Sequence, residues 1–512
     1  MSIFDFFRKD DSLNQLAALA TITTLNKRTR RGSGQRMFQA GQSDRLTEKW
    51  TSFPVTADQI IRDHQRVLVS RSREQAVNND YGKAFIRMCT QNIVGPRGVI
   101  LQAQSRDPNG RLDTLANDAI EWAWWDWGRK KNCDITGTQS WRSIQSSCIA
   151  SAAKDGEFMI RILRGREAGP WGISLQVIDP VRCPVDFEEM RISSGNFIRH
   201  GIEFTPYGRP VAYYFSSTQD DDVYYRLGGR NYVRVPAEEI IHGFSSDIVG
   251  QKRGLPWMAT SLYRMKMLHG FEDAALVNAR VTASKMGFFE REEGYGPEDD
   301  EDYELTMDVE PGMYRELPPG VRVKEINPQY PNGELAVFSK SMLRGIASGL
   351  GVAYNNLAND LEGVNYSSIR QGTLDEREHW KDLQEWFIEA LVEPVFEAWL
   401  PIALLSGRIT VKDKPLKAER LDKYRIVEWQ PRRWQWIDPR ADVVAAVESK
   451  NNLLTSPGQI IRDQGRDPDA VWREIASDIN QMREAGIPDE FIQAALGRKG
   501  EIKDVPEKTN ND

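Results

Sequence analysis

The run Leu335-Ala-Val-Phe-Ser-Lys-Ser-Met-Leu-Arg-Gly-Ile-Ala-Ser-Gly-Leu350, continuing into Gly351-Val-Ala-Tyr-Asn-Asn-Leu-Ala-Asn-Asp-Leu-Glu-Gly-Val-Asn-Tyr-Ser-Ser368, decides the reading of this chain. Met342, Ile346 and Leu350 recur at helical spacing, and Ser341, Gly345 and Gly349 recur at the same spacing on another face. One face buries bulk; the other admits a close neighbour. A glycine inside a helix costs about 1 kcal/mol relative to alanine, so two of them together point to the close approach they permit. From Gly351 to Ser368 no period holds, and no Lys or Arg occurs between Arg344 and Arg370. This stretch reads as a polar loop charged only at Asp360 and Glu362. A further helix restarts with Ser367 or Ser368 as its cap, runs through Leu383, Trp386, Phe387, Ala390 and Leu391, and kinks at Pro394.

Upstream, Gly254-Leu-Pro-Trp257 places Pro256 near the first turn of another long helix, where its missing N–H costs nothing. That helix runs to about Met286 and sets Ala275, Ala279 and Ala283 on one face. Between the two helices lies an acidic insertion, residues 287–333, with thirteen Asp or Glu against four Lys or Arg, a net of −9 in a chain whose total is −7. It contains the consecutive acids Glu298, Asp299, Asp300, Glu301 and Asp302, and strand candidates around Met313 to Arg315 and Val321 to Ile326.

Residues 51–250 read as a mixed α+β domain. Helical periodicity from Ala57 stops at Gly95-Pro-Arg-Gly98, and a second helix, Leu112 to Asp126, leads into a cluster made by Trp122, Trp124, Trp125 and Trp127. Bulky aromatics at the end of an amphipathic helix point to core or subunit contact. Trp141 to Ala153 is helical and turns at Lys154-Asp-Gly156 into strands Glu157 to Leu163 and Ile173 to Ile178. Phe197 to Phe204 and Pro210 to Phe215 form a hairpin through Thr205-Pro-Tyr-Gly208, and Val233 to Ile241 adds a strand.

After Pro394, residues 369–437 return to this domain through Ile409 to Lys412 and Tyr424 to Trp429. The segment Glu428-Trp-Gln-Pro-Arg-Arg-Trp-Gln-Trp436 either closes a sheet or clamps a nucleic-acid backbone. Residues 438–496 are helical, with Ser456 capping a helix from Pro457; residues 1–50 form a basic arm and residues 497–512 a charged, disordered tail.

The composition is that of a soluble protein, no apolar run reaches the ~20 residues of a membrane span, and the N-terminus lacks a signal-peptide core, which places the chain in the cytosol of the cell that makes it. Cys89, Cys133, Cys148 and Cys183 are too scattered for zinc or a disulfide framework, so free buried thiols are expected. No phosphate-binding loop, His-Glu-x-x-His, Gly-x-Ser-x-Gly or dinucleotide fingerprint occurs. His64, His200, His242, His269 and His379 stand apart, as surface or packing residues. No catalytic residue, metal or cofactor is expected.

Gly345-Ile-Ala-Ser-Gly-Leu-Gly-Val352, the Asn-rich loop ending Asn365-Tyr-Ser-Ser368, and Ile369-Arg-Gln-Gly-Thr373 resemble the channel-lining region of the lambda-like portal proteins of tailed phages. Gly201-Ile-Glu-Phe-Thr-Pro-Tyr-Gly-Arg-Pro-Val-Ala212, Gly254-Leu-Pro-Trp257 and Trp436-Ile-Asp-Pro439 look like signatures of the same family, in its order. The resemblance implies a wing (51–250), a first stem helix (251–286), a clip (287–333), a second stem helix (334–350), a tunnel loop (351–368), a long kinked helix returning to the wing (369–437) and a crown (438–496). It further implies a non-enzymatic ring of twelve copies at one capsid vertex, in the virion and in host cytoplasm during assembly. Its partners would be double-stranded DNA passing through the channel, terminase, scaffold and major capsid proteins, and head-completion proteins.

On that reading Tyr354, Asn355, Asn356, Asn359, Asp360, Glu362 and Asn365 form the channel constriction. Lys266, Arg280 and Lys285 are stem candidates for transient phosphate contact, with packing by their aliphatic stems an equal alternative. The five acids Glu298 to Asp302 are the docking candidate of the clip. A narrow polar channel with few fixed cations lets DNA slide, because each neutralised phosphate adds salt-dependent affinity. Two other readings stay open: a non-channel adaptor recruiting a basic partner through the acidic insertion, and a metal-dependent nuclease.

Overall fold

In the computed structural model of the chain, residues 45, 53–192, 194–216, 232–283, 287–291, 321–325, 334–362, 365–434 and 438–495 are described. The chain divides into two compact units, Met1–Thr56 and Ala57–Asp512, and the helices and strands described belong to the second. Helix and sheet are mixed there, as the α+β expectation requires.

Aromatic packing makes the centre. Asp113 caps the helix Thr114–Trp127 by accepting from the Ala116 N–H at 3.2 Å. Its inward stripe is Ile120, Ala123, Trp124 and Trp127, whereas Trp122 and Trp125 are each 60% exposed. The tryptophan cluster therefore splits by helical phase: Trp124 and Trp127, three apart on one face, go inside, and Trp122 and Trp125, three apart on another, stay out. Trp124 stacks on Trp127 with ring centroids 4.8 Å apart and meets Trp399 edge-on at 5.1 Å. Trp127 sends its indole N–H to the Ile173 carbonyl at 3.0 Å, so the buried ring leaves no orphaned donor.

Trp399 comes from the longest helical tract, Tyr366–Phe387, Ile388–Val392 and Glu393–Leu405. A π-helical turn over Ile388–Val392, closed by the Glu393 N–H donating to the Ile388 carbonyl, lies one residue before Pro394, which has no N–H to give. Ile388, Leu391, Val392, Val395, Phe396, Trp399 and Leu400 are all buried along it. Ser367 and Ser368 do not cap this tract, because the helix already begins at Tyr366.

The strands are short and antiparallel. Glu157–Arg164 is the centre of a three-stranded sheet, with Ile173–Ile178 on one side and Ile240–Phe244 on the other. A four-stranded sheet follows, Phe197–Arg199, Ile202–Phe204, Pro210–Ser216 and Tyr232–Pro236. Phe197 to Phe204 is thus not one strand: His200 and Gly201 sit at φ 52° and 78°, a two-residue reversal that makes a first hairpin ahead of the expected one.

Ile100–Ala103 pairs with Val427–Gln430, which is the sheet-closing return. Gly287–Arg291, unread from the sequence, pairs with Val321–Glu325. Met313 to Arg315, Glu298 to Asp302, Lys285, most of the basic arm and the tail from 497 onward lie outside the described residues. C-terminally, Ser456 accepts from the Gln459 N–H at 3.0 Å and caps Pro457–Asp463 as expected. All four cysteines are free and buried, and burial pushes the Cys133 and Cys183 thiols up to about 12 and about 11.

Candidate functional site

The first long helix is Leu262–Ala283, so Pro256 lies well before its first turn. Ahead of it lies a contact no pattern reveals: a Cβ on Gly254 would stand 2.1 Å from the Gly156 carbonyl oxygen. The lead-in is clamped to the turn between helix and central strand, and it reaches the helix through turns closed by Ala259 N–H to the Pro256 carbonyl and Ser261 N–H to the Met258 carbonyl, both 2.9 Å.

The second long helix, Glu334–Leu350, lays its glycine face on the first. A Cβ at Gly345 would meet an Arg264 guanidinium nitrogen at 2.1 Å, and one at Gly349 the Ser261 hydroxyl at 2.4 Å. Approach this close lets Thr260 donate to the Gly349 carbonyl at 3.0 Å and Ser261 to the Ile346 carbonyl at 3.1 Å. Leu343, Ile346, Ala347 and Leu350 are buried and Met342 half-buried, as the apolar period requires. Further along the pair the burial stops. Ala275 and Ala279 are half-buried, whereas Leu276, Val277, Val337 and Phe338 are 59, 57, 70 and 47% exposed.

Of the cations expected on the two long helices, Lys266 is exposed and donates to Glu74 at 3.0 Å, a pair worth little in water. Arg280 lies on the exposed side, near the helix end.

The loop between the second and third long helices is more ordered than its sequence suggests. Tyr354–Ala358 forms a short helix ended by Asn359 at φ 52°, and it plugs Leu357 into the core at 4% exposure. Asn356 donates to the buried Glu376, whose carboxyl is pushed up by burial. Tyr354 donates to Asp360 at 2.6 Å and Lys340 reaches the same carboxylate at 2.9 Å. The Tyr354 hydroxyl and Lys340 hold that carboxyl well below its usual range, while burial and Asp360 push the Tyr354 phenol up to about 12.

This corrects the picture of a cation-free loop. The chain folds back so that Lys340 neutralises Asp360 and the Arg344 guanidinium stands 5.6 Å from the Tyr354 ring centroid. Asn355 is half-buried, and Glu362 and Asn365 are exposed.

A second feature was missed altogether. Glu157, the first residue of the central strand, and Arg253, just before the Gly254 clamp, are buried and paired at 2.6 Å. Arg253 also donates to the carbonyls of Cys183 at 3.0 Å, His200 at 2.8 Å and Pro180 at 3.2 Å. Glu157 accepts from the Gly254 N–H at 2.8 Å, from His242 at 2.9 Å and from Gln65 at 3.3 Å. Burial alone would raise the Glu157 carboxyl, but Arg253 and His242 outweigh it and bring it down to about 2. The network ties both sheets to the start of the first long helix. The only sequence signal was the charge of Arg253 beside the Gly254-Leu-Pro-Trp257 motif. His200 is buried, and the His242 side chain, 4% exposed, is a member of this network where a surface or packing role was expected.

Glu121 carries the opposite shift. Its carboxylate accepts from the Ala103 N–H at 2.9 Å, and burial together with Asp467 and Asp118 pushes it up to about 7. The folded state therefore holds a proton there that the unfolded chain releases near its usual ~4.3, so stability falls as pH rises from about 4.5 to 7. Glu121→Gln is expected to stabilise by on the order of 1 kcal/mol at pH 8, after allowance for solvent screening, and to change nothing at pH 4. Denaturant midpoints at the two pH values check this.

Among the described residues no group of three or more His, Cys, Asp or Glu could hold a metal ion, and no helix is long and apolar enough to cross a membrane. Residues 43–384 match the family model described as phage portal protein, lambda family. The chain is 33% identical over 486 residues to the probable portal protein of Halomonas phage phiHAP-1, covering 93% of this chain and 92% of that one. It is 21% identical over 472 residues to portal protein B of Escherichia phage lambda, covering 84% and 86%. Among solved structures it is similar, at TM-score 0.41 and 15% identity, to a chain from the neck of a native GTA particle computed with C12 symmetry, covering 79% of this chain and 94% of that one.

Proposed function

Because this chain belongs to the lambda family of phage portal proteins, we propose that its glycine-faced helix pair is the stem of a closed ring, with an aqueous bore for double-stranded DNA. The observation that carries this is the apolar outer surface of the pair. Tyr263, Met267, Leu276, Val277 and Val337 are 75, 48, 59, 57 and 70% exposed in the single chain. Side chains of that kind on two adjacent helices ask for neighbours of the same kind, and further copies of this chain supply them in a cyclic assembly. The C-terminal helices make the same demand, with Leu453, Leu454 and Phe491 at 91, 79 and 69% exposure.

In this ring residues 51–250 are the wing, 287–333 the clip and 438–496 the crown. Tyr354 to Asn365 approaches the DNA as the constriction. The acidic clip, with Glu298 to Asp302, meets the terminase and later the head-completion proteins, and capsid and scaffold proteins surround the ring. Lys266 and Arg280 offer the DNA few firm holds, since Lys266 already has Glu74 beside it. The pairing of Lys340 with Asp360 likewise keeps the constriction close to neutral, which favours sliding over sticking.

Negative-stain images of the purified protein test the reading. Rings with a central hole, twelve-fold in class averages, are expected; monomers or dimers at every concentration would replace it with an adaptor that recruits basic partners through the insertion.

A further inference from the structure

Away from the stem pair, a cleft of about 750 Å³ opens between the helix Trp141–Asp155 and the loop at Gly95 and Pro96, with Arg432 beside them. That is the size of an ordinary small-molecule site. Its charge is one-sided. Arg142 and Arg432 line it together with hydroxyls from Thr90, Ser143, Ser146 and Ser147, and no Asp or Glu is among the lining residues.

Gly95 holds the two arginines together. A Cβ there would strike the Arg432 side chain at 2.9 to 3.1 Å, and the backbone sits at φ 71°, so the Arg432 stem lies directly on the glycine. Arg142 donates to the Gly95 carbonyl at 3.3 Å. Arg432 donates to the Gln91 carbonyl and, at 3.0 Å, to the Asn92 side chain. These acceptors are all neutral, and among the described residues neither arginine has a carboxylate within ion-pair distance. Burial pushes the Arg432 guanidinium down, and burial followed by the charge of Arg432 does the same to Arg377, against Asp442.

We propose that this cleft binds a phosphate group, held by the Arg142 and Arg432 guanidiniums and the Ser146 hydroxyl, the hydroxyls of Ser143 and Ser147 being bonded to Ser140 and Gln139. Forked guanidiniums match phosphate geometry, and a phosphate would give the half-buried Arg432 an anionic partner that its neutral acceptors do not provide. The phosphate comes either from the backbone of double-stranded DNA outside the channel or from a free phosphate compound. The sequence of the segment containing Arg432 favours sheet closure with surface arginines, with nucleic-acid contact as the alternative. Val427–Gln430 closes the sheet, and the arginine that follows is left for the anion.

The test uses the full-length assembled protein with two probes: inorganic phosphate, followed by calorimetry, and a 20-base-pair duplex, followed by fluorescence anisotropy across a salt series. Ser146→Asp puts a carboxylate into the cleft while leaving both arginines in place, and Ser146→Asn is the neutral control. Ser146→Asp is expected to weaken binding at least about fivefold, with Ser146→Asn close to the parent. If the duplex is the ligand, Arg142→Gln also lowers the slope of log K against log salt by about 1. Phosphate binding that responds to Ser146→Asp identifies a free phosphate as the source, and duplex binding alone that responds identifies DNA. Failure of both probes to bind, or equal binding by Ser146→Asp and the parent protein, would overturn the proposal.

Discussion

Arg253→Met is expected to cost about 3–5 kcal/mol, because it leaves the Glu157 carboxylate buried without its guanidinium. Arg253 and Glu157 have side chains 1% and 0% exposed, so water cannot replace the lost partner. The carbonyls of Cys183, His200 and Pro180 lose their donor in the same step. A fall in thermal midpoint on the order of 5–10 °C follows. Glu157→Leu combined with Arg253→Met should be milder than the single change, since no charge is then stranded. The pH dependence has a definite sign. Glu157 is held at about 2 in the folded state, against ~4.3 for a free glutamate. Its contribution is therefore complete above about pH 4.5 and is lost as pH falls through 2. A midpoint unchanged to within 1–2 °C in Arg253→Met would show that the network is not structural.

Removing residues 361–365 is expected to leave rings that assemble but heads that fail to retain full-length DNA. The structure dictates where the cut must fall. Leu357 is core, Asn356 bonds to the buried Glu376, and Asp360 is tied to Tyr354 and Lys340. A cut through 355–360 would damage the fold as well as the constriction. Leu361 is 65% exposed and Glu362 and Asn365 are exposed, so the tip can go while its base stays. Packaged DNA length measured on gels, beside ring counts by microscopy, separates the two effects. Normal DNA content in particles built from the shortened protein would remove this loop from the constriction.

The pair of long helices was legible because helices announce themselves in one dimension. Gly345 and Gly349 repeat at four-residue spacing, and their retention made sense only if something came close; Arg264 and Ser261 do. The cap at Ser456 likewise follows from local stereochemistry, whereas the π-turn Ile388–Val392 was not read. The loop was half legible. Its lack of period was visible, but the helix Tyr354–Ala358 is fixed by Leu357 reaching a core made elsewhere.

The helical pair, the acidic insertion and the family signatures were therefore determined by the amino-acid order alone, since each depends on spacing within a short stretch. Only the tertiary structure decided that Glu157 meets Arg253 across 96 positions, that Lys340 cancels Asp360, and that Gly254 packs on Gly156 ahead of a first long helix that begins at Leu262. Charges and close contacts between distant segments leave no period to read, because their partner is chosen by the path of the backbone in space.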